Sequence, residues 1–517
     1  MCGIFFMKGK PQCSNGAASG SGDEIVHRGP DSTSYIGLDG DTCLVFHRLA
    51  INDVSANGDQ PMNVNGTLLM CNGEIYNWKE LMKKYKLELK SGSDCEIIAH
   101  LFNMGLSMKE ILTQLDGVFA FVILAADGKV YAARDPLGVR PLFWCKTDNC
   151  LAFCSEAKGL MSHFVESEIK AFGKESYYSD DEQCVKQYEA IVYPSDVPEY
   201  PFDPEEIANL LTAAVRKRLM SDRKVACLLS GGLDSSLIAA LASRLSGRLH
   251  TFSIGIDRYA PDLVNARRVA EHIGSIHKEI IYTTNEALKV LPDVIYSLES
   301  YDCTTVRASV PMYLLLKYIA DNTDFKVILS GEGADELFGG YLYLHNAPDR
   351  HQFQKETHNL LKNVQHFDVT RADRCAAAHG LEIRVPFFDK ALVNFILKTN
   401  PSHKTSSKTR IEKWILREAF AGRRMIPDTV LWRRKDAFSD AVGRSWVEFL
   451  KEHAEENVKE MDPQIVNKGH VSMTKEEYMY KVIYRKYYMD LELLPYIWRP
   501  KWTEVLDPSA TLLGIPF

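Results

Sequence analysis

Val225-Ala226-Cys227-Leu228-Leu229-Ser230-Gly231-Gly232-Leu233-Asp234-Ser235-Ser236 is the stretch that decides the fold. The apolar run Val225–Leu229 predicts a buried strand, the glycines a tight turn, and the periodic apolar positions of Ser235–Leu245 a helix. Glycines and hydroxyls between a strand end and a helix N-terminus form a cradle for an anion, because backbone N–H groups and the helix dipole both face it. No lysine follows the glycines, so this is not the G-x-x-x-x-G-K-[ST] loop. Asp234 lies inside the cradle, which makes sense for an acid that holds a divalent cation against phosphate oxygens.

The pattern continues outward on both sides. A helix is predicted over Pro204–Leu219, strands at Leu249–Gly255, near Glu279–Tyr282 and at Lys326–Leu329, and a helix over Asp262–Ile273. Such alternation implies an α/β domain with a mostly parallel sheet covered by helices. The strand Lys326–Leu329 runs into Ser330-Gly331-Glu332-Gly333-Ala334-Asp335-Glu336, placing acids at the carboxyl edge where open α/β sheets bind ligands. From about Leu342 the pattern is largely helical, with a basic and aromatic cluster at Leu431–Lys435.

The first 160 or so residues read differently. Short apolar runs at Cys43–Phe46, Thr67–Cys71, Phe119–Ala125 and Leu151–Cys154, separated by turn residues, predict a strand-dominated domain. From about Glu166 to Pro201 the chain turns polar and acidic, the composition of a connection between domains. The chain opens Met1-Cys2-Gly3, and removal of the methionine would leave Cys2 with a free α-amine. That amine titrates near ~7.7–8 and can take the thiol proton within the same residue. A cysteine at position 2 means little alone, but it is followed in order by His27-Arg28-Gly29-Pro30-Asp31, His47-Arg48-Leu49-Ala50-Ile51, Asn72-Gly73-Glu74-Ile75-Tyr76-Asn77 and Ser93-Asp94-Cys95-Glu96.

With those motifs the first part resembles the class II, N-terminal-nucleophile glutamine amidotransferases, and SGGLDSS at 230–236 resembles the signature of the ATP pyrophosphatases, which cleave ATP between the α and β phosphates. Tyr301–Ser309, Trp432–Asp440, Arg371–Arg374, Ala377–Pro386 and Arg499–Trp502 extend the likeness across nearly the whole chain to the glutamine-hydrolysing asparagine synthetases of the eukaryotic type. The resemblance implies an α+β Ntn-hydrolase domain (an αββα sandwich) over 2–185, a connection over 186–202, and an ATP-pyrophosphatase domain over 203–517. It implies Cys2 as nucleophile, Asn72 and Gly73 as oxyanion hole, and glutamine held by Arg48, Leu49, Ala50, Ile51, Asn52, Glu74 and Asp94. The charged ends of a free amino acid explain Arg48 for its carboxylate and the two acids for its ammonium.

For the second site it implies ATP held by Leu229, Ser230, Gly231, Gly232, Asp234, Ser235, Ser236, Ile254, Ser330 and Gly331, with Mg2+ on Asp234 and Asp335. Glu332 would contact the activated aspartate, Lys435 the α-phosphate, and Thr304, Thr305 and Arg307 the aspartate or pyrophosphate from a substrate loop. It further implies a homodimer in the cytoplasm. Two departures stand out: Phe172–Tyr200 is shorter than in that type, and Ala441 stands where glycine often follows Ser-Asp. Rival readings on the same plan are another adenylating amidotransferase, an enzyme like the β-lactam synthetases, an uncoupled glutaminase, or a non-catalytic nucleotide or glutamine sensor.

Bulk properties bound these readings. A chain of 517 residues is too long for one core. With 46 % hydrophobic and 25 % charged residues it is of globular composition, and no apolar run approaches the ~18 residues of a membrane span. The net charge of −7, without a basic block, argues against nucleic acid. The 12 cysteines form no disulfide framework, and Cys145, Cys150 and Cys154 lack a C-x-x-C pair and read as strand core rather than metal ligands.

Overall fold

The computed structural model describes residues 1–10, 22–164, 168–405, 410–434, 444–466, 473–493 and 496–503. The layering of the N-terminal part follows from its first strand, Gly3–Gly9. Ile4 and Phe6 enter one core with Phe46, Met70, Val122 and Phe153, whereas Phe5 and Met7 enter another with Val45 and Cys154. A strand buried on both faces belongs inside a stack of layers. The first sheet runs in the order Lys170–Ala171, Phe143–Lys146, Cys150–Cys154, Gly3–Gly9, Thr42–Arg48, Ser32–Leu38. The second runs Cys184–Gln187, Ser176–Ser179, Val130–Arg134, Gly117–Leu124, Thr67–Ile75, Met62–Val64.

Ile4 and its partners fill the space between the sheets. Helices Trp78–Tyr85, Glu96–Asn103 and Met108–Gln114 cover the second sheet, burying Leu81, Ile97 and Ile111 with Phe119 and Phe121. The outer face of the first sheet joins a core that continues into helices Thr284–Leu298 and Cys303–Asn322 of the C-terminal part.

The stretch 166–201, predicted as connection, is only partly one. Ser176–Ser179 and Cys184–Gln187 pair as a hairpin on the edge of the second sheet. Beyond them the chain is held by both parts: Glu175 accepts from the amides of Ala190 and Ile191 at 2.6 and 2.8 Å, and Asn394 bonds Val192 and Ala190.

The C-terminal part is built on a five-stranded sheet in the order Ile276–Ile281, His250–Gly255, Val225–Leu228, Val327–Leu329, Glu382–Arg384, with every pair parallel. Val225–Leu228 has later strands on either side, so the connections diverge at its carboxyl end and leave a crevice there. Glu382–Arg384 was not predicted as a strand, because three residues with two charges carry no strand pattern. Tyr301–Ser309, expected as a substrate loop, is instead the start of helix Cys303–Asn322, capped by Asp302, whose carboxylate accepts from Thr305 N at 2.8 Å. Among the described residues no helix is long and apolar enough to cross a membrane.

The two parts meet across buried charges. Arg28 pairs with Glu156 at 2.6 Å and with Asp373 at 3.0 Å, and Arg374 joins Glu156 at 2.8 Å to Glu299 at 2.9 Å. Arg140 reaches Glu382 at 3.0 Å, and Arg384 joins Glu382 at 2.7 Å to Glu74 at 3.0 Å. Burial works against the Glu156 carboxylate, but Lys158, Arg374, His27 and Arg28 hold it well below the usual carboxylate range.

Removing one member strands its partners in a low-dielectric setting. Arg374→Met is expected to cost about 3–5 kcal/mol, read as an earlier thermal unfolding transition. The contribution of Glu156 is present above the unfolded-chain value of ~4.3 and is lost as pH falls through the lower folded-state value. Thermal scans should therefore show this interface failing only in acid well below pH 4.3.

Candidate functional site

Cys2 lies at the start of the first strand, where Met1 is buried and donates from its amine to Leu381 O at 3.2 Å. Burial lowers that amine to about 5. The Cys2 N–H donates to Asn72 Oδ1 at 2.9 Å, and Arg28 Nε donates to Cys2 O at 2.9 Å. The Cys2 Sγ receives the Leu49 N–H at 3.4 Å. Burial pushes the thiol pKa up, so forming a thiolate needs a base in place, and the amine released by loss of Met1 would be that base.

Asn72 is oriented by accepting from Cys2, and its Nδ2, buried, has no hydrogen-bond partner among the described residues. An unsatisfied buried amide donor beside a nucleophile fits an oxyanion hole. Gly73 is also required by the sheet itself. Its strand neighbour comes so close that a Cβ would strike Val118 O and Phe119.

Asn52 donates to Glu74 Oε2 at 2.5 Å and to Asp94 Oδ1 at 3.0 Å, which brings both acids together. Burial raises Asp94 to about 6, against the pull of the Ile75 N–H and Asn52, and burial likewise raises Glu74 against Arg384. The Arg48 guanidinium donates to Ser55 O at 2.8 Å, to Asp59 at 2.7 Å, and to Asp53 O. Ala50 N–H goes to Asp31, whereas the Ala50 and Ile51 carbonyls accept from Arg223 and Asp222 of the C-terminal part. The motif 27–31 was read only as a marker. In the structure its Arg28 positions Cys2 and its Asp31 the 49–52 segment.

The second cluster sits at the divergence of the parallel strands, in a cleft of about 200 Å³. Leu229, Ser230, Gly232, Asp234, Ser235, Ile254, Ser330, Gly331, Glu332, Asp335 and Thr304 all line it. Ser235 Oγ accepts from Ser230 N at 3.1 Å and bonds Ser230 Oγ at 2.9 Å, which closes the loop at the N-terminus of helix Leu233–Ser246. Gly231 has a φ of 75° and lies so close to helix Pro261–Ile273 that a Cβ would meet the Ala266 amide. Ser236 is buried and does not line the cleft.

Arg371 lies 2.5 Å from Glu332 and 2.8 Å from Asp368, and burial pushes Glu332 up to about 7 against that pull. Thr305 completes the Asp302 cap, and Arg307 is buried against Glu476 at 2.5 Å. Arg433 is no solvated surface cation, since it donates to Gly231 O at 3.2 Å and to Asp262 at 3.0 Å. Lys435 and Ala441 lie outside the described residues. Arg371, Lys413 and Arg417 also line the cleft and were not expected there by role, because single basic residues in helical sequence carry no sign of which loop they will face.

Asp234 and Asp335 face the same cleft from adjacent strand ends, an all-oxygen donor set suited to Mg2+. Among the described residues no group of three or more His, Cys, Asp or Glu could hold a metal.

Residues 1–195 match the family model "Glutamine amidotransferase domain", and residues 206–352 and 346–508 match "Asparagine synthase". The chain is 41 % identical over 565 aligned residues to "Asparagine synthetase [glutamine-hydrolyzing]" of Pongo abelii, covering 99 % of this chain and 98 % of that one. It belongs to the asparagine synthetase family. Relatives of the same description in Bos taurus, at 41 %, and Gallus gallus, at 40 %, match over the same shares. In this family member Glu74 and Asp94 are buried carboxyls of the first candidate site, both raised by burial.

If Asp94 holds the substrate ammonium, glutamine affinity for the Cys2→Ala protein should fall as pH drops through about 6. The expected slope is roughly tenfold per pH unit for one required ionisation. Calorimetry between pH 5 and 8 checks this, and Asp94→Asn should flatten the profile.

Proposed function

We propose that this asparagine synthetase family member makes L-asparagine from L-aspartate in an ATP-dependent reaction, with ammonia released from L-glutamine at Cys2. The observation that carries the reading is the presence, in one chain, of Cys2 beside an unsatisfied Asn72 amide and of an acid-lined cleft at the carboxyl ends of parallel strands.

At the first site the Cys2 amine takes the thiol proton and the sulfur attacks the glutamine side-chain amide. Negative charge on the amide oxygen is met by Asn72 Nδ2. Ammonia leaves, and water then releases glutamate from the thioester. Glu74 and Asp94 hold the substrate ammonium, and Arg48 its carboxylate.

At the second site the loop 230–236 and the N-terminus of helix Leu233–Ser246 cradle the phosphates, with Ser330 and Gly331 on the neighbouring strand end. Mg2+ on Asp234 and Asp335 would neutralise charge on the departing pyrophosphate. The aspartate β-carboxylate displaces pyrophosphate from the α-phosphorus, with the neutralising of the α-phosphate assigned to Lys435 from the family resemblance and contact with the aspartyl group to Glu332. Ammonia then displaces AMP. The same reading carries a homodimer and a cytosolic location. The domain limits are 2–185 for the glutaminase, 186–202 for the connection and 203–517 for the synthetase.

Product analysis with MgATP, aspartate and amide-15N glutamine tests this. The expected result is 15N in asparagine with AMP and pyrophosphate, and a Cys2→Ala protein that makes asparagine only from added ammonia. Intact mass should show that the glutamine-using protein begins at Cys2. AMP without asparagine would replace aspartate by another acid substrate, and absence of AMP would remove the synthetase reading.

A further inference from the structure

Lys413 is 3 % exposed, and its ammonium lies 2.5 Å from Asp234 Oδ2 and 2.6 Å from Asp335 Oδ1. It therefore occupies the space between the two acids to which the divalent cation is assigned. The chain bends to put it there. Lys413 has a left-handed φ of 57° at the start of helix Trp414–Phe420, an uncommon conformation for a non-glycine residue. Opposite it stands Gly340, where a Cβ would strike both Asp335 Oδ1 and Lys413 Cε. Arg417, on the same wall, directs its guanidinium to Glu412 and to the Leu431 carbonyl.

Two carboxylates brought together from neighbouring strand ends repel strongly where water is scarce. A tethered ammonium between them removes that repulsion, and it also competes with any free cation for the same oxygens.

Resting on the ATP-dependent reading of this cleft, we infer that Lys413 is a resident counter-cation: it holds Asp234 and Asp335 in place until nucleotide binds and then yields them to a divalent metal that arrives with the nucleotide. The triphosphate supplies oxygen ligands for the metal and negative charge toward which the displaced ammonium can turn. Metal and nucleotide therefore bind with positive coupling, and the metal alone binds weakly.

The test is Mn2+ binding to the full chain without nucleotide or amino acids, followed by the electron paramagnetic resonance signal of free Mn2+. Wild type and Lys413→Arg should bind weakly, and Lys413→Met and Lys413→Gln more tightly by about tenfold or more. Adding Asp234→Asn to Lys413→Met should abolish the gain. Thermal unfolding provides a second reading: Mn2+ should raise the midpoint of the Met and Gln variants and leave wild type unchanged.

If wild type binds Mn2+ as tightly as the Met and Gln variants do, the inference is overturned. Tight binding by wild type alone would overturn it even if both variants failed to fold. Formation of AMP and pyrophosphate by wild type decides the ATP reading separately, so its failure is distinct from that of Lys413.

Discussion

Arg28, Arg140, Arg374 and Arg384 lie buried between the two parts of the chain, each against carboxylates that are themselves out of water. Charges so placed are tolerable only while every one keeps its partners, because the desolvation cost of each ion is recovered through close, hydrogen-bonded neighbours. The lattice therefore fixes how the two parts sit. It also touches both sites. Arg28 bonds the Cys2 carbonyl, Arg384 reaches Glu74, and Asp373 and Arg374 share helix Asp368–Ala377 with Arg371, which pairs with Glu332. Two of the arginines that join the parts thus contact residues of the first candidate site directly, and the second site is reached through the helix that carries Arg371.

The second centre shows the opposite use of charge. At the carboxyl ends of Val225–Leu228 and Val327–Leu329 the fold collects acids at the cleft instead of pairing them off across an interface. Parallel strands with diverging connections leave an opening at that edge, and loops of glycine and serine can approach an anion there without steric cost. Such a site needs a cation to be stable, and Lys413 supplies one from a segment far along the chain.

Much of this was legible before the structure. The strands and helices that were predicted between Pro204 and Leu329 fall within about three residues of expectation, because apolar periodicity there is strong and glycines punctuate it, whereas the helices Thr284–Leu298 and Cys303–Asn322 were not predicted. The residues of 229–236 and 330–335 expected at the nucleotide site mostly meet in one cleft. What escaped was of two kinds. Glu382–Arg384 and the hairpin 176–187 are edge elements with little apolar pattern, so composition disguised them as loop. The cap that Thr305 completes and the partner of Arg307 in helix Lys475–Tyr488 were not foreseen either, because no local pattern announces a partner so distant in sequence.

By itself the sequence determined the two chemistries: a thiol that can carry its own base at Cys2, and a strand–glycine–helix cradle with Asp234 inside it. Both are local, set by residue type and short spacing. Only the tertiary structure decided which charges are neutralised and by whom. The pairing of Arg374 with Glu299, of Arg384 with Glu74, and of Lys413 with Asp234 and Asp335 joins residues from different elements, and burial makes each pairing obligatory once packing has excluded water.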